Sequence, residues 1–372
     1  MSFSTKIKRI RSHQDFNEVD AMIIIKPENI MYILGFKIES ETLILIPNED
    51  SEKSEGKLTI FLNALEHDET KKKIEQDKEL SRNIEIKKIP LGNPRFVEKI
   101  INGFEFSTIG FEDDYITVKK FKEWKQKFKI SNFVGLSDVI SNARLIKTDE
   151  EIERIKEAAR LGDIGFKTIF QSIKEGMSER ELATEAEYAM RKAGSRGASF
   201  DTIVATGENS AFPHATISDK KVNDGDIVLV DIGAIFKGYC SDLTRTFIFG
   251  KVNNDKARLI NLVNEGQEKA LENVNVGADC SKLDKITRDF FIEKNKEWGS
   301  LFIHSLGHGV GLEIHERPYI SAISQDVLKE NMVLTIEPGL YVPGLGGART
   351  EDLILIQKEG FESLSKSDKY YY

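Results

Sequence analysis

The chain has 372 residues, which is enough for two domains with sizeable cores. Its 53 basic and 61 acidic residues give a net charge of −8, and this balance argues against a nucleic-acid-binding protein, which would show a basic excess. Two cysteines without a CxxC motif exclude a disulfide framework and predict a reducing, cytoplasmic compartment. No apolar run reaches the roughly 18 residues of a membrane span, and the basic start lacks the apolar core of a secretory signal.

The first part of the chain alternates short β-like runs with polar helical stretches, which is typical of an α/β domain. We assign residues 1–143 to this N-terminal domain. Helices are predicted over 65–79 and 94–103, and the polar segment 48–56 is predicted to be a hairpin-like loop. The predicted strands are Ala21–Ile25, Thr42–Ile46, Leu58–Leu62, Ile84–Ile89 and Thr108–Phe111.

A capping box marks the start of the second domain, predicted over residues 144–372. The Thr148 hydroxyl accepts a hydrogen bond from the backbone of Glu151, and the Glu151 side chain reaches back. Apolar residues then recur at helical spacing to about Phe170.

A second capping box, formed by Ser178 and Glu181, begins a helix that is predicted to end near Gly194, a glycine suited to the position just after a helix. Strands, hairpins and one helical region over 254–298 follow. Every candidate metal ligand lies in this second domain.

Five side chains with metal-binding chemistry follow one another in the last part of the chain: Asp231, Asp242, His308, Glu337 and Glu351. Four carboxylates and one imidazole exceed the needs of one ion. They suit two divalent ions about 3.5–4 Å apart that activate a water molecule. Imidazole favours Mn, Fe, Co or Zn over Mg or Ca. The set therefore predicts metal-assisted hydrolysis.

The first two ligands are predicted to share one face of a hairpin. Asp231 lies inside the apolar, β-branched run 227–233, and a buried carboxylate there needs a compensating charge. A turn centred between residues 236 and 237 would place Asp231 opposite Asp242. A turn at Lys237 and Gly238 would make the two acids diagonal neighbours. Both registers aim the carboxylates in the same direction.

Glu337 and Glu351 repeat this design, since the segment 342–347 turns the chain between them. Two acid-bearing hairpins that face each other would supply four carboxylates. His308 lies in a glycine-rich stretch, which permits a close approach of the backbone.

Four of the six histidines lie between residues 214 and 315. His214 and His315 are candidates to donate to a developing oxyanion or to shuttle a proton. His304 fits either packing or catalysis. Arg349 is two residues before the last acid and is a candidate to orient a carboxylate ligand. Cys240 is interpreted as a packing residue.

With these residues in place, the chain resembles the pita-bread metallopeptidases that cleave before proline, the branch of prolidases (Xaa-Pro dipeptidases) and aminopeptidase P. The resemblance covers nearly the whole chain, loosely in the first domain and densely in the second. It implies an α/β N-terminal domain of the creatinase/prolidase type and an α+β pita-bread catalytic domain. The matching segments are KPENIMYILGF (26–36), NARLIKTDEEIERI (142–155), FDTIVATG (200–207), FPHATISDKK (212–221), DIGAIFKGYCSDLTRTF (231–247), FIHSLGHGVGLEIHE (302–316) and TIEPGLYVP (335–343).

The resemblance implies a role for each metal ligand. Asp231 would chelate one ion, Asp242 and Glu351 would bridge the pair, and His308 and Glu337 would hold the other. Each chain would bind two divalent ions of Mn, Co, Zn or Fe, and it would form a homodimer. The charge balance and the lack of an apolar span predict no nucleic-acid or membrane partner.

It also implies the catalytic and substrate-binding residues. Glu337 would act as general base toward the bridging water, and His214 and His315 would contact the substrate and stabilise the tetrahedral intermediate. A free proline carboxylate would need a strong donor. His315, Arg317 and Arg349 are the candidates.

Related enzymes leave alternatives open. Methionine aminopeptidases typically carry Gln where this chain has Arg349, and they usually lack a large leading domain. Creatinase-like enzymes, and relatives that serve as scaffolds, lack the full ligand set, so the five intact ligands argue against a non-catalytic binding protein. Xaa-Pro dipeptidase activity is expected, and Xaa-Pro aminopeptidase activity is the alternative. The alternative stays open because the two activities differ in the shape of the loops around the proline carboxylate and not in a sequence motif.

Overall fold

The computed structural model describes residues 3–49, 56–93 and 95–372, so most of the loop predicted over 48–56 lies outside the described residues. The chain divides into two compact units, Met1–Arg144 and Leu145–Tyr372. Among the helices described, none combines the length and the apolar character that crossing a membrane requires.

The first unit is built on a mixed six-stranded sheet with the order β4-β3-β2-β1-β5-β6. Every residue of β1 and β3 is buried, as expected of strands in a sheet that is covered on both faces. The strands are β1 Ala21–Ile24, β2 Leu43–Pro47, β3 Leu58–Leu62, β4 Ile84–Lys88, β5 Thr108–Phe111 and β6 Asn132–Gly135. The helices are α1 Phe3–Arg11, α2 Pro27–Leu34, α3 Ala64–Gln76, α4 Lys78–Asn83, α5 Phe96–Gly103, α6 Val118–Lys127 and α7 Ser137–Leu145.

All five strands predicted in this unit are confirmed, with ends that shift by at most one residue. The helix predicted over 65–79 is divided at Asp77, whose carboxylate caps α4 by accepting from the backbone of Glu79 and Leu80. Strand β6 and the four helices α1, α2, α6 and α7 were not predicted.

The second unit contains the remaining elements. Its helices are α8 Asp149–Ser172, α9 Glu179–Lys192, α10 Asn254–Leu271, α11 Cys280–Lys294 and α12 Lys296–Gly299. Its strands are β7 Ile203–Thr206, β8 Ile227–Ile232, β9 Ile235–Phe236, β10 Tyr239–Cys240, β11 Leu243–Ile248, β12 Gly307–Gly309, β13 Glu316–Ile320, β14 Val333–Ile336, β15 Gly339–Val342, β16 Gly346–Arg349, β17 Asp352–Ile356 and β18 Phe361–Ser363.

Both predicted capping boxes are confirmed, at the start of α8 and of α9. Gly194 has a φ of +115° just after α9, which explains the glycine. The helical region predicted over 254–298 is divided into α10, α11 and the short α12.

The strands of the second unit form two antiparallel sheets and two short hairpins. One sheet has the order β11-β8-β7 and the other β13-β12-β14-β17-β18. Helix α10 packs its apolar side against β14, β15 and β16, and Ile260 and Val263 share a buried cluster with Ile336. The helix therefore lies behind the strands that lead to the last two predicted ligands.

The pairing of β8 with β11 settles the register of the first two acids. Asp231 lies opposite Thr244, and the chain turns at Lys237 and Gly238, which have φ values of 45° and 88°. Asp242 is therefore the diagonal neighbour of Asp231, the second of the two predicted registers.

The other two acids extend the ladder of β14 and β17, in which Ile336 pairs with Asp352. Hairpin β15–β16 continues in the same register, with Gly339 opposite Arg349. The backbone N–H of Glu351 donates to Thr244 O at 3.0 Å, so the two acid-bearing hairpins are joined at the ligands.

Candidate active site

One cavity of about 750 Å³ collects the predicted site residues of the second unit. Its size lies within the range of about 300–1,000 Å³ usual for small-ligand sites. The predicted residues in its lining are Asp231, Asp242, His308, Glu337, Glu351, His214, His304, His315 and Arg349.

His308 is placed by the short strand β12, between β13 and β14. A Cβ on Gly307 would lie 2.0 Å from Thr335 O, so the close backbone approach requires glycine there. The ring atom Nδ1 lies 3.2 Å from Gly309 O and must carry the proton, because a carbonyl only accepts. Nε2 then faces Glu337 Oε1 at 3.3 Å and Asp242 Oδ2 at 3.6 Å.

The donor set fits a divalent cation. Ligand atoms of Asp242, His308 and Glu351 all lie within 4.8 Å of one another. Asp231 Oδ1 and Glu351 Oε1 are buried and have no hydrogen-bond partner among the described residues. Buried carboxylate oxygens without partners are costly, and a metal ion would compensate them. Oxygen ligands with one imidazole suit the first-row transition metals.

The acids experience different electrostatic environments. Burial, followed by the charge of Glu351, raises the pKa of Asp242 well above its ordinary value. Burial and the charge of Glu337 do the same to the pKa of Glu351. Burial also acts to raise the pKa of Glu337, but the hydrogen bond and charge of His308 outweigh it and lower the pKa to about 2. The acids are thus crowded together in a buried site, and their mutual repulsion favours a bound cation.

Arg349 supports the ligands from the side. Its Nη2 donates to Asp231 Oδ2 at 2.5 Å, its Nη1 to the Tyr341 hydroxyl at 2.7 Å, and its Nε to Thr244 Oγ1 at 3.1 Å. Thr244 Oγ1 in turn donates to Glu351 Oε2 at 2.7 Å. This arrangement agrees with the prediction that Arg349 orients a carboxylate ligand.

Arg349 also donates through Nη1 to Pro213 O at 3.2 Å. Within the part of the chain that the structure describes, four of the five N–H groups of its guanidinium are then engaged and one is left. Substrate binding by Arg349 stays a prediction.

Three polar residues at the site were not predicted from the sequence: Thr244, Thr335 and Tyr341. Thr335 Oγ1 accepts from the His308 backbone at 3.1 Å and lies 3.4 Å from Glu337 Oε1. Thr244 and Thr335 each lie two residues from a predicted ligand, so strand alternation puts them on the ligand's face. This spacing of two residues was the sequence signal by which Thr244 and Thr335 could have been predicted.

His214 and His315 both line the cavity with exposed side chains. The described residues supply no hydrogen-bond partner for either ring, so both remain available to a substrate. The His315 ring packs edge-on against that of His308, with centroids 4.3 Å apart. Partial burial of its ring, followed by the charge of the nearby His308, lowers the pKa of His315.

The structure also places the residues whose roles were left open. His304 Nδ1 lies 2.8 Å from Ser305 O, and its Nε2 lies 3.0 Å from the Tyr341 hydroxyl, so the ring holds Tyr341 beside Arg349. Cys240 Sγ lies 3.9 Å from Leu312 O in a buried position, which agrees with packing. Arg317 does not line the cavity and pairs with Asp326 at 2.6 Å, so it is no longer a candidate for the substrate carboxylate.

Comparison with known families agrees with this two-unit structure. The model of "Metallopeptidase family M24" matches residues 153–358, and that of "Creatinase/Prolidase N-terminal domain" matches residues 6–146. The chain belongs to metallopeptidase family M24 and carries the creatinase/prolidase N-terminal domain.

Individual relatives match over nearly the whole chain. The Xaa-Pro dipeptidase of Pyrococcus horikoshii is 37% identical over 364 residues, which cover 98% of this chain and 97% of the relative. A solved structure of the Xaa-Pro dipeptidase from Bacillus anthracis has a TM-score of 0.91 and 34% identity, with 100% and 99% of the two chains covered. The X-Pro aminopeptidase from Thermotoga maritima has a TM-score of 0.84 and 33% identity, with coverage of 95% and 97%.

These findings confirm the predicted fold class, an α/β domain followed by a pita-bread catalytic domain, and the prediction of a metallopeptidase. Membership of the family also implies divalent metal ions.

Proposed function

We propose that this protein is an Xaa-Pro dipeptidase that works with two divalent metal ions. The observation that carries the proposal is the cavity that four carboxylates and His308 line together. Two of these carboxylates, Asp231 and Glu351, each have a buried oxygen without a hydrogen-bond partner among the described residues. The whole-length similarity to Xaa-Pro dipeptidases supports the substrate class.

The ions would be held by the five predicted ligands: Asp231, Asp242, His308, Glu337 and Glu351. Mn, Co, Zn and Fe all suit this set. When bound, they supply Lewis acidity and lower the pKa of water.

Elemental analysis tests the number of ions, and we expect two per chain. A chelator should abolish the activity, and added metal should restore it. One ion or none in the active enzyme would contradict the two-ion proposal.

Three side chains would act directly on the reactants. Glu337 takes the proton of the attacking water and later delivers it to the proline nitrogen that leaves. His214 and His315 line the cavity and have no hydrogen-bond partner among the described residues, so their N–H groups can donate to the carbonyl oxygen as it gains charge. Arg349 keeps Asp231 oriented, and its remaining N–H is a candidate donor to the substrate carboxylate.

Aminopeptidase activity on longer peptides is the second candidate. The similarity to the Thermotoga maritima X-Pro aminopeptidase favours it, as does a cavity of about 750 Å³, which is roomy for a dipeptide. The test compares kcat/KM for an Xaa-Pro dipeptide, its C-terminal amide and an Xaa-Pro-Xaa tripeptide. A dipeptidase loses rate with the amide, because the free carboxylate is no longer recognised. A preference for the tripeptide without a penalty for the amide would identify an aminopeptidase.

The remaining expectations belong to the same proposal. A boundary at residues 143 and 144 is supported by the two compact units, and limited proteolysis would test it. A homodimer is supported by the family resemblance, and light scattering in solution tests it. A cytoplasmic location is supported by the low cysteine content and is tested by cell fractionation.

A further inference from the structure

Arg245 lies behind the metal ligands, on strand β11, and is almost fully buried. Its Nη1 donates to Glu351 O at 2.5 Å and to Thr244 O at 3.0 Å. Its Nη2 donates to Asp352 Oδ1 at 2.5 Å. One guanidinium therefore holds the backbone of a predicted ligand and the side chain of the next residue.

The same guanidinium binds the segment formed by residues 366–372. Nε and Nη2 donate to Ser367 O at 3.0 and 2.7 Å, so all five N–H groups of Arg245 are used. Lys369 Nζ lies 3.3 Å from the second carboxylate oxygen of Asp352. Ser367 is itself fixed by Asp163 of α8, which accepts from its backbone at 2.8 Å and its hydroxyl at 2.6 Å.

A second route reaches the other side of Glu351. Asn264 of α10 is buried, and its Nδ2 donates to Tyr370 O at 2.8 Å. Its Oδ1 accepts from the Thr350 hydroxyl at 2.6 Å. One side-chain amide thus connects the 366–372 segment to the residue before Glu351.

Aromatic packing anchors the segment where these bonds are made. The Tyr370 ring stacks on Phe170 with centroids 4.7 Å apart and lies 5.6 Å from Phe247. The Tyr372 hydroxyl accepts from the backbone N–H of Ile248 at 2.6 Å, at the end of β11. The segment is therefore attached to the strand that carries Thr244 and Arg245.

We propose that the 366–372 segment positions Glu351 for metal binding, through Arg245 on one side and Asn264 on the other. The two routes fix the residues that flank Glu351, while Thr244 fixes one of its carboxylate oxygens and leaves the other open. The inference rests on the proposed role of Glu351 as a ligand. Partners that orient a ligand in this way typically change metal affinity by about 10- to 100-fold when removed.

The experiment measures metal affinity in variants that touch no ligand. Tyr370→Ala removes the anchor of the segment, and Asn264→Leu removes both bonds of the second route. Each should weaken Mn²⁺ or Co²⁺ binding to the metal-free protein by about 10- to 100-fold in isothermal titration. The visible absorption of the Co²⁺-loaded protein should change as well, since it reports ligand geometry.

Asn273→Leu is the matched control. It is the same substitution just after the end of α10, where the amide donates to Lys269 O at 2.9 Å and not to the 366–372 segment. Its metal affinity and Co²⁺ spectrum should equal those of the wild type. If Asn264→Leu does not fold, Thr350→Val carries the test, because it removes a single hydroxyl at nearly the same volume.

The result is separable from that of the proposed function. A wild type that binds fewer than two ions overturns the two-ion proposal by itself. If the wild type binds two ions, and Tyr370→Ala and Thr350→Val bind them equally tightly and give the same Co²⁺ spectrum, the inference alone is overturned. This holds even if both variants unfold at a lower temperature.

Discussion

Two of the predicted ligands share one arrangement: a fixed oxygen and an open one. Asp231 receives Arg349 on Oδ2, and Glu351 receives Thr244 on Oε2, while the second oxygen of each has no partner among the described residues. The fixed oxygen orients the carboxylate, and the open oxygen keeps a lone pair for a cation. The neighbouring side chains therefore prepare the site before any ion binds.

The proton-accepting role of Glu337 gives the first prediction. Glu337→Gln should retain the fold but lose at least about 10²-fold in kcat, because an amide cannot take a proton from water. The measurement is kcat on Xaa-Pro substrate at saturating metal, with metal content determined on the same sample. Near-wild-type kcat in a metal-loaded variant would exclude the role.

The two unpartnered imidazoles give the second prediction. His214→Ala and His315→Ala should each lower kcat by an amount equivalent to about 2.7–4 kcal/mol, the usual cost of an oxyanion donor. Metal content should be unchanged, since other residues supply the ligands. Loss of metal from either variant would instead make that histidine a ligand.

The sequence predicts these five candidate ligands because their chemistry is local: an acid inside an apolar strand, or a histidine among glycines. It could not identify what holds them. Arg349 and Asp231 are 118 positions apart, and Thr244 and Glu351 are 107 apart. Such pairs depend on how two hairpins meet. Arg317 was a candidate from sequence because of its position, and only the structure shows that Asp326 engages it.

At the scale of elements, Glu112 secures the first unit just after β5. Its Oε2 accepts from the backbone of Ile25 at 2.6 Å and of Lys26 at 2.8 Å, and its Oε1 accepts from the Asn29 amide at 2.6 Å. It therefore fixes the two residues that lead into α2, a helix that has no side-chain cap of its own. Burial raises the pKa of Glu112 above its ordinary value of 4.5.

This raised pKa predicts a pH dependence of stability. The folded protein keeps the Glu112 proton at a pH where the unfolded chain has lost it, so the free energy of unfolding falls as the pH rises from about 4.5 through the raised pKa. Glu112→Gln removes that slope. The variant should be less stable than the wild type, because its amide faces the Asn29 amide, and the difference should shrink as the pH rises.

The measurement is the free energy of unfolding in urea, determined at a series of pH values from weakly acidic to neutral. Fluorescence of Trp124 in the first unit reports unfolding, in a Trp298→Phe background that removes the signal of the second unit. Glu75→Gln on exposed α3 is the control and should leave the pH profile unchanged. The same slope in the Glu112 variant would disprove the assignment.

Element types were predictable where the sequence pattern was simple. Apolar β-branched runs located β1 to β5, and the capping boxes located α8 and α9. The turn of the first ligand hairpin stayed open, because Lys237 adopts a positive φ that favours glycine or asparagine. Helix α6 was missed because its residues VKKFKEWKQK are mostly charged, and Trp124 is its one fully buried residue.

At the scale of the whole molecule, all five predicted ligands belong to the second unit, Leu145–Tyr372. Four of them lie in or beside β8, β11, β14 and β17, which also form its core. Metal binding and folding of this unit are therefore thermodynamically linked, because an ion that binds only the folded site stabilises it.

Hydrogen exchange with and without metal would test this link. Saturating Mn²⁺ at about 100 times its dissociation constant should add about 2.7 kcal/mol to the stability of the unit that binds it. Protection should rise in peptides from 227–248 and 333–356, where the carboxylates would otherwise repel one another. Peptides from β1, β3 and β5 in the first unit should exchange at the same rate in both samples. The double variant Asp242→Asn/Glu351→Gln is the control and should abolish the effect of metal on exchange. Equal gains of protection in both units would contradict the link, because the ions would then act on the whole chain and not through the strands that carry the predicted ligands.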